Sequence, residues 1–219
     1  MKKRKIAIMT GISLIVMAIV AVFVIGYAYA EFDTPGEIEF VNNILQNKGL
    51  YLSMLYGFLV IILLDFIVSY NLYKYFEDDH KKMSAISGLI RTIYTIIFII
   101  AVYHLTKNIN SNELTNQLAK SNFDQFQTIW NVGLVVFGFH IILIGYLMKL
   151  HLKIPKILWY ITLIAGVSYI VVSLLKLTIP NSEIVSLFVI LMALPMTIGE
   201  MGLAVWLLIK GGKNEKDNF

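Results

Sequence analysis

The sequence predicts an all-α, polytopic membrane protein: six transmembrane helices in one bundle, with a short amphipathic outer helix between spans 1 and 2. Three observations lead there. Hydrophobic residues make up 58% of the 219 residues and the mean hydropathy is +0.75, whereas a soluble domain runs about 45–50% apolar. The apolar residues fall into six runs, each long enough for the roughly 20 residues that carry a helix across a bilayer. Lysine and arginine crowd into alternate loops. The spans tile the chain almost end to end, so residues 1–219 are expected to form a single membrane domain with no soluble module.

The first span is expected over 6–30. Lys2 to Lys5 before it, and Ala28-Tyr29-Ala30 at its end, also suit a cleavable signal peptide. The apolar run, however, is far longer than the roughly 7–15 residues of a signal core, so retention is favoured. The segment after it opens on Thr34-Pro35-Gly36-Glu37, a capping box with proline at the first helical position. Ile38, Val41, Ile44 and Leu45 then share a face and Gly49 ends the segment, which gives the outer helix. Packing onto the helix ends is its simplest role; a lid over a cavity is the alternative.

Further spans are expected over 50–75, 84–105, 128–149, 155–177 and 184–209. Uninterrupted apolar runs of this length satisfy their backbone in lipid only as helices. Thr106 to Gln127, polar with Leu114, Leu118, Phe123 and Phe126 interspersed, reads as a loop or a second surface helix. Thirteen of the 18 basic residues fall on the side that carries both termini, which makes that side cytoplasmic and accounts for the net charge of +4 without a nucleic-acid partner. There is no cysteine, which excludes disulfides and thiolate chemistry.

Ionisable side chains inside a bilayer are costly and each needs a reason. Asp65, Arg91, His140 and Glu200 lie seven to ten residues from the cytoplasmic ends of four different spans. At 1.5 Å per residue they share one level, about 10–15 Å above that edge. Asp65 and Arg91, on consecutive antiparallel helices, are the natural ion pair, with Glu200 open as the alternative partner of Arg91. Ser69 shares the face of Asp65; Ser87 and Thr95 share that of Arg91. Glu200 follows Pro195, expected to kink its helix, and Gly199 and Gly202 flank it and permit close approach. Gly166, Tyr169 and Ser173 share a face that completes the layer or simply packs. His140 is expected to bond a neighbouring helix. A metal triad of Asp65, His140 and Glu200 has no paired-histidine motif behind it, and no cofactor is expected. His80 and His151 read as solvated loop residues.

Gly145-Tyr146-Leu147, Ile154-Pro155, Ala165-Gly166, Tyr169, Leu194-Pro195, Gly199-Glu200, Trp206-Leu207-Leu208 and Lys210-Gly211 together resemble a bacterial membrane family, domain of unknown function 4386. The resemblance implies six spans, a basic N-terminus, a third-span arginine matched by Arg91, and a closing motif matched by Glu200 and Trp206. It also implies a bacterial plasma membrane, and it carries no activity.

Four functions stay open on the sequence. The first is binding of a lipid headgroup or small polar ligand at the layer, against Arg91 with Glu200 and His140. The second is a scaffold or regulator whose buried charges are structural. The third is a proton-coupled transporter, since Asp65, Arg91 and Glu200 sum to one negative charge. The fourth is an intramembrane enzyme using Glu200 and His140, and a non-enzymatic role is preferred over it. Membrane lipids are the expected partners; the oligomeric state is not encoded in any visible pattern.

Overall fold

A computed structural model describes residues 3–33, 40–109, 114–180 and 182–213. Among them the secondary structure is helical throughout: α1 (Lys3–Phe32), α2 (Phe40–Gln46), α3 (Lys48–Thr106), α4 (Asn116–Leu150), α5 (Lys156–Thr178) and α6 (Glu183–Ile209). All but α2 are long and apolar enough to cross a membrane, five helices in all. α1 widens into a π-helical turn at Val24–Tyr29.

The expected runs 50–75 and 84–105 both lie in α3, a 59-residue element whose only non-helical backbone is at His80 (φ −161°, ψ 89°). There the chain folds back on itself. Ser84 Oγ donates to the Tyr73 carbonyl at 2.7 Å, Ser69 Oγ to that of Gly88 at 2.7 Å, and Tyr51 Oη to that of Leu105 at 2.8 Å. Partners grow more distant in sequence with each step from the bend, the signature of an antiparallel hairpin. His80 is exposed, and its Nδ1 accepts the Met83 N–H at 3.3 Å, so it caps the second arm.

Three expectations are corrected. The segment before residue 128 is not a separate surface helix: α4 starts at Asn116, capped by Thr115, whose side chain accepts from Leu118 N. Phe123 and Phe126 hold that extension because they are buried against Tyr29 and Phe58. Gly49 does not end the outer helix, since α3 already begins at Lys48 and the break falls at Asn47. Within α2 it is Phe40 and Ile44 that are buried, while Leu45 is exposed; the Thr34–Glu37 box and Ile38 lie outside the described residues. α2 packs on the helix ends: Phe40 meets Phe123 edge-on and the Val41 N–H donates to Asn116 Oδ1 at 2.8 Å. The third correction is His151. It is not solvated: its Nδ1 lies 2.9 Å from the Asp79 carboxylate, and its ring packs among Tyr75, Phe76 and Trp206.

The long helices close a ring. α1 packs on α3 and on α6, α3 on α4, α4 on α5, and α5 on α6. In lipid the hydrophobic effect does not hold helices together, so close van der Waals approach at small residues takes over. A Cβ at Gly138 would lie 2.7 Å from the Gly166 carbonyl oxygen, and one at Gly166 2.8 Å from that of Gly138, which locks α4 to α5. Gly199 against Ala165 and Gly202 against Leu158 do the same for α5 and α6. α1 and α6 meet at their terminal ends, where Gly11 faces Ala204 and Leu208. There Arg4 donates to the carbonyls of Leu207, Leu208 and Gly211 at 3.0, 2.6 and 2.9 Å, satisfying the orphan acceptors at the C-terminus of α6. Gly212 follows with φ +67°, a left-handed turn beside the Arg4 backbone that leaves no room for a Cβ.

Two apolar cores stack along the bundle. One holds Tyr29, Tyr51, Phe58, Phe98, Phe123 and Phe126; the other, near the chain termini, holds Leu72, Tyr75, Phe76, Leu147, Trp206 and Leu207. On the first arm of α3, Ile62 belongs to one core and Val68 to the other, with Asp65 between them. On α4, Phe137 and Ile144 bracket His140 in the same way.

Candidate functional site

The polar layer between these cores resolves into two groups. Arg91 is the centre of the first. Both it and Asp65 are 1% exposed. Arg91 Nε and Nη2 donate to one carboxylate oxygen, Asp65 Oδ1, at 3.0 and 2.5 Å. Nη1 reaches His140 Nε2 at 3.3 Å, and the face of the guanidinium rests on the Phe137 ring, 5.2 Å from its centroid. A guanidinium only donates, so His140 Nε2 must be the bare acceptor and Nδ1 carries the proton. That N–H donates to the Ser87 carbonyl at 2.9 Å. Ser87 and Arg91 are one helical turn apart, and this spacing sets both partners against one imidazole.

Glu200 and Tyr169 form the second group. Tyr169 Oη donates to Glu200 Oε1 at 2.5 Å, joining α5 to α6. Tyr169 in turn meets Phe137 edge-on at 5.0 Å, so the two groups touch through one aromatic ring. Pro195 lies inside α6, which continues through it as one helix. Arg91 therefore pairs with Asp65 and not with Glu200, and among the described residues no hydrogen bond links His140 to Glu200. Both His140 nitrogens are engaged by Arg91 and Ser87, which leaves no lone pair for a metal, and no three of the described His, Asp and Glu residues gather as a metal site.

A cavity of about 680 Å³ lies inside the ring of helices, with Asp65, Arg91, Tyr169 and Glu200 on its polar wall. His140 stands behind Arg91 and is not part of the lining. The apolar walls come from residues 14–26 of α1 and 189–201 of α6, together with Tyr94, Phe98 and Trp130. Val22, Gly26, Ala193 and Thr197 line the cavity and are exposed, so it opens sideways through a gap between α1 and α6. The second carboxylate oxygen of Asp65, Oδ2, is buried and meets no hydrogen-bond donor among the described residues.

A family model described as Domain of unknown function (DUF4386) matches residues 9–211. The chain belongs to the DUF4386 family. An uncharacterised protein of Archaeoglobus fulgidus is 31% identical over 157 residues, which span 72% of this chain and 83% of the relative. No solved structure matches.

For this DUF4386 chain, the sequence named the layer's ionisable groups but missed the walls of the cavity. Tyr94 had a signal, being one turn from Arg91. The α1 and α6 linings had none, because apolar residues facing a cavity and apolar residues facing lipid look alike in a hydropathy profile. Ser173, assigned to the Tyr169 face, is 1% exposed and does line the cavity. Chemically, the first group is a clasp satisfied except at the buried Asp65 Oδ2, whereas Glu200 offers an acceptor to whatever enters the cavity.

Proposed function

We propose that the chain is a plasma-membrane protein that crosses the bilayer six times, with both termini in the cytoplasm, and that it binds a lipid headgroup or small polar ligand at the intramembrane layer. The crossing count takes α1, α4, α5 and α6 once each and the two arms of α3 separately. Orientation rests on Lys3, Arg4, Lys5, Lys81, Lys82, Lys153 and Lys210, which gather at one end of the helices.

The binding reading is carried by one observation: a cavity that opens to the side has on its wall Glu200, with a single hydrogen-bond partner, and Asp65, whose Oδ2 is buried with no donor among the described residues. A purely structural clasp gains by satisfying both carboxylate oxygens, because an unmet acceptor at this depth costs about 1–3 kcal/mol. Here both donating nitrogens of Arg91 converge on the other oxygen. The scaffold reading draws its support from the Asp65–Arg91–His140–Ser87 chain, and it describes that half of the layer well. It does not account for Glu200, which faces the cavity with a single tyrosine partner.

The test is to purify the full chain in a non-ionic detergent and identify co-extracted small molecules by mass spectrometry. A polar or headgroup-bearing molecule should be retained near one per chain, and Glu200→Gln should deplete it while the protein stays folded. Equal extracts from the two proteins would leave the scaffold reading in its place.

A further inference from the structure

The residues on the cavity wall also select a ligand class. This step rests on the binding reading above and adds the sign of the headgroup. The wall holds two carboxyl groups and one guanidinium. Three of the five guanidinium N–H groups are directed to Asp65 and His140, and the guanidinium carbon lies over the Phe137 ring, 5.2 Å from its centroid. Little of the positive group is left for an anion. The negative groups are less engaged: among the described residues Asp65 Oδ2 has no partner, and Glu200 has only the Tyr169 hydroxyl on Oε1.

Above these carboxyl groups the walls are aromatic and aliphatic. Tyr94, Phe98 and Trp130 stand on one side and Met17, Ala21 and Met196 on the other. Aromatic faces attract cations, most strongly where water is excluded. The opening between α1 and α6 is bounded by apolar side chains, with Val22 73% exposed. A molecule entering there from the bilayer brings an apolar body with it. The other cation on the lining, Lys176, is exposed at the rim. It lies seven residues along α5 from Tyr169, about 10 Å away at 1.5 Å per residue, too far to neutralise the carboxyl groups directly.

We infer that the cavity binds an amphiphile with an ammonium head, the head against Glu200 and beside the buried Asp65 carboxylate and the apolar body between α1 and α6. A free alkylamine and an amine-headed lipid both supply this chemistry.

The test uses the full chain in micelles of a non-ionic alkyl maltoside, which carries no ammonium group, with hexylammonium, hexanol and hexanesulfonate as probes of equal chain length, followed by equilibrium dialysis. Hexylammonium should bind at one per chain and at least tenfold more tightly than hexanol, with hexanesulfonate no better than in Ala193→Trp, a variant that obstructs the gap. Glu200→Gln should weaken hexylammonium at least tenfold. Adding phosphatidylethanolamine to the micelles separates the sources: competition assigns the head to a lipid, no competition to a free amine, and the ammonium assignment stands in both cases. Hexanesulfonate binding as tightly as hexylammonium in the wild-type protein would overturn the ammonium assignment and leave the cavity reading intact. No probe binding beyond the Ala193→Trp level would overturn both. The wild-type comparison needs no variant, so it decides even if Glu200→Gln fails to fold.

Discussion

Arg91 grips Asp65 by a single oxygen. Nε and Nη2 both converge on Oδ1, while Oδ2, equally buried, is left without a donor among the described residues. This asymmetry separates a clasp from a site. It also divides the consequences of substitution into those that act on the fold and those that act on binding.

Removing one member of the pair strands a charge among apolar residues. Arg91→Ala and Asp65→Ala are each expected to destabilise the protein by about 3–5 kcal/mol. The double variant Asp65→Leu with Arg91→Leu should lose less than either single change, because no unpaired charge remains. Unfolding in mixed micelles with increasing SDS gives the comparison. Additive losses in the double variant would show that the two side chains do not act as a pair.

His140 supports the arginine from behind. His140→Phe leaves Arg91 Nη1 and the Ser87 carbonyl without their partner and is expected to cost about 1–3 kcal/mol. Because His140 does not line the cavity, the affinity for a bound amphiphile should change by less than the stability does. An affinity loss as large as that of Glu200→Gln would place the histidine in the binding site after all.

Helix contacts at glycine give a prediction with an internal control. Gly138→Ala and Gly166→Ala each drive a methyl to within 2.8 Å of the opposite carbonyl oxygen. Overpacking of this kind costs about 1–3 kcal/mol. Gly49→Ala meets nothing within 4 Å and lies in the first turn of α3, so it is expected to be neutral or to stabilise by up to about 1 kcal/mol. Thermal unfolding of the three variants in one detergent checks the order.

Much of this arrangement is legible in the sequence, for identifiable reasons. Long apolar runs set the helices, and the cost of charge in lipid pointed to Asp65, Arg91, His140 and Glu200 without any structure. Antiparallel neighbours at equal depth made Asp65 the natural partner of Arg91 but left Glu200 open as the alternative. What the sequence could not supply depends on rotation about helix axes. That rotation puts His140 behind Arg91 and Glu200 on the cavity, and it decides which faces of α1 and α6 line the opening. The early start of α4 was hidden for a different reason. Residues 116–127 are polar overall, and their few buried side chains, Ala119, Asn122, Phe123 and Phe126, show as a helical face only once the aromatic cluster above them is known. His151 was misread because its partners Asp79 and Trp206 lie in distant parts of the chain.

The absence of cysteine makes the proposed orientation easy to examine. Leu152, 98% exposed between α4 and α5, and Leu45, 65% exposed on α2, are suitable single-cysteine sites. In intact cells a membrane-impermeant maleimide should label Leu45→Cys and spare Leu152→Cys until the membrane is opened. The reverse pattern would invert the topology.

Occupancy of the cavity decides between a ligand site and a clasp. Native mass spectrometry of the full chain, released from non-ionic micelles, compares the wild type with Ala193→Trp, whose indole obstructs the gap between α1 and α6 while leaving Arg91 and Asp65 untouched. The wild type should carry one small-molecule adduct per chain and the variant should lack it, with both proteins unfolding at similar temperatures. The same adduct pattern in both proteins, or none in either, would contradict a ligand site in the cavity and leave the polar layer as a clasp alone.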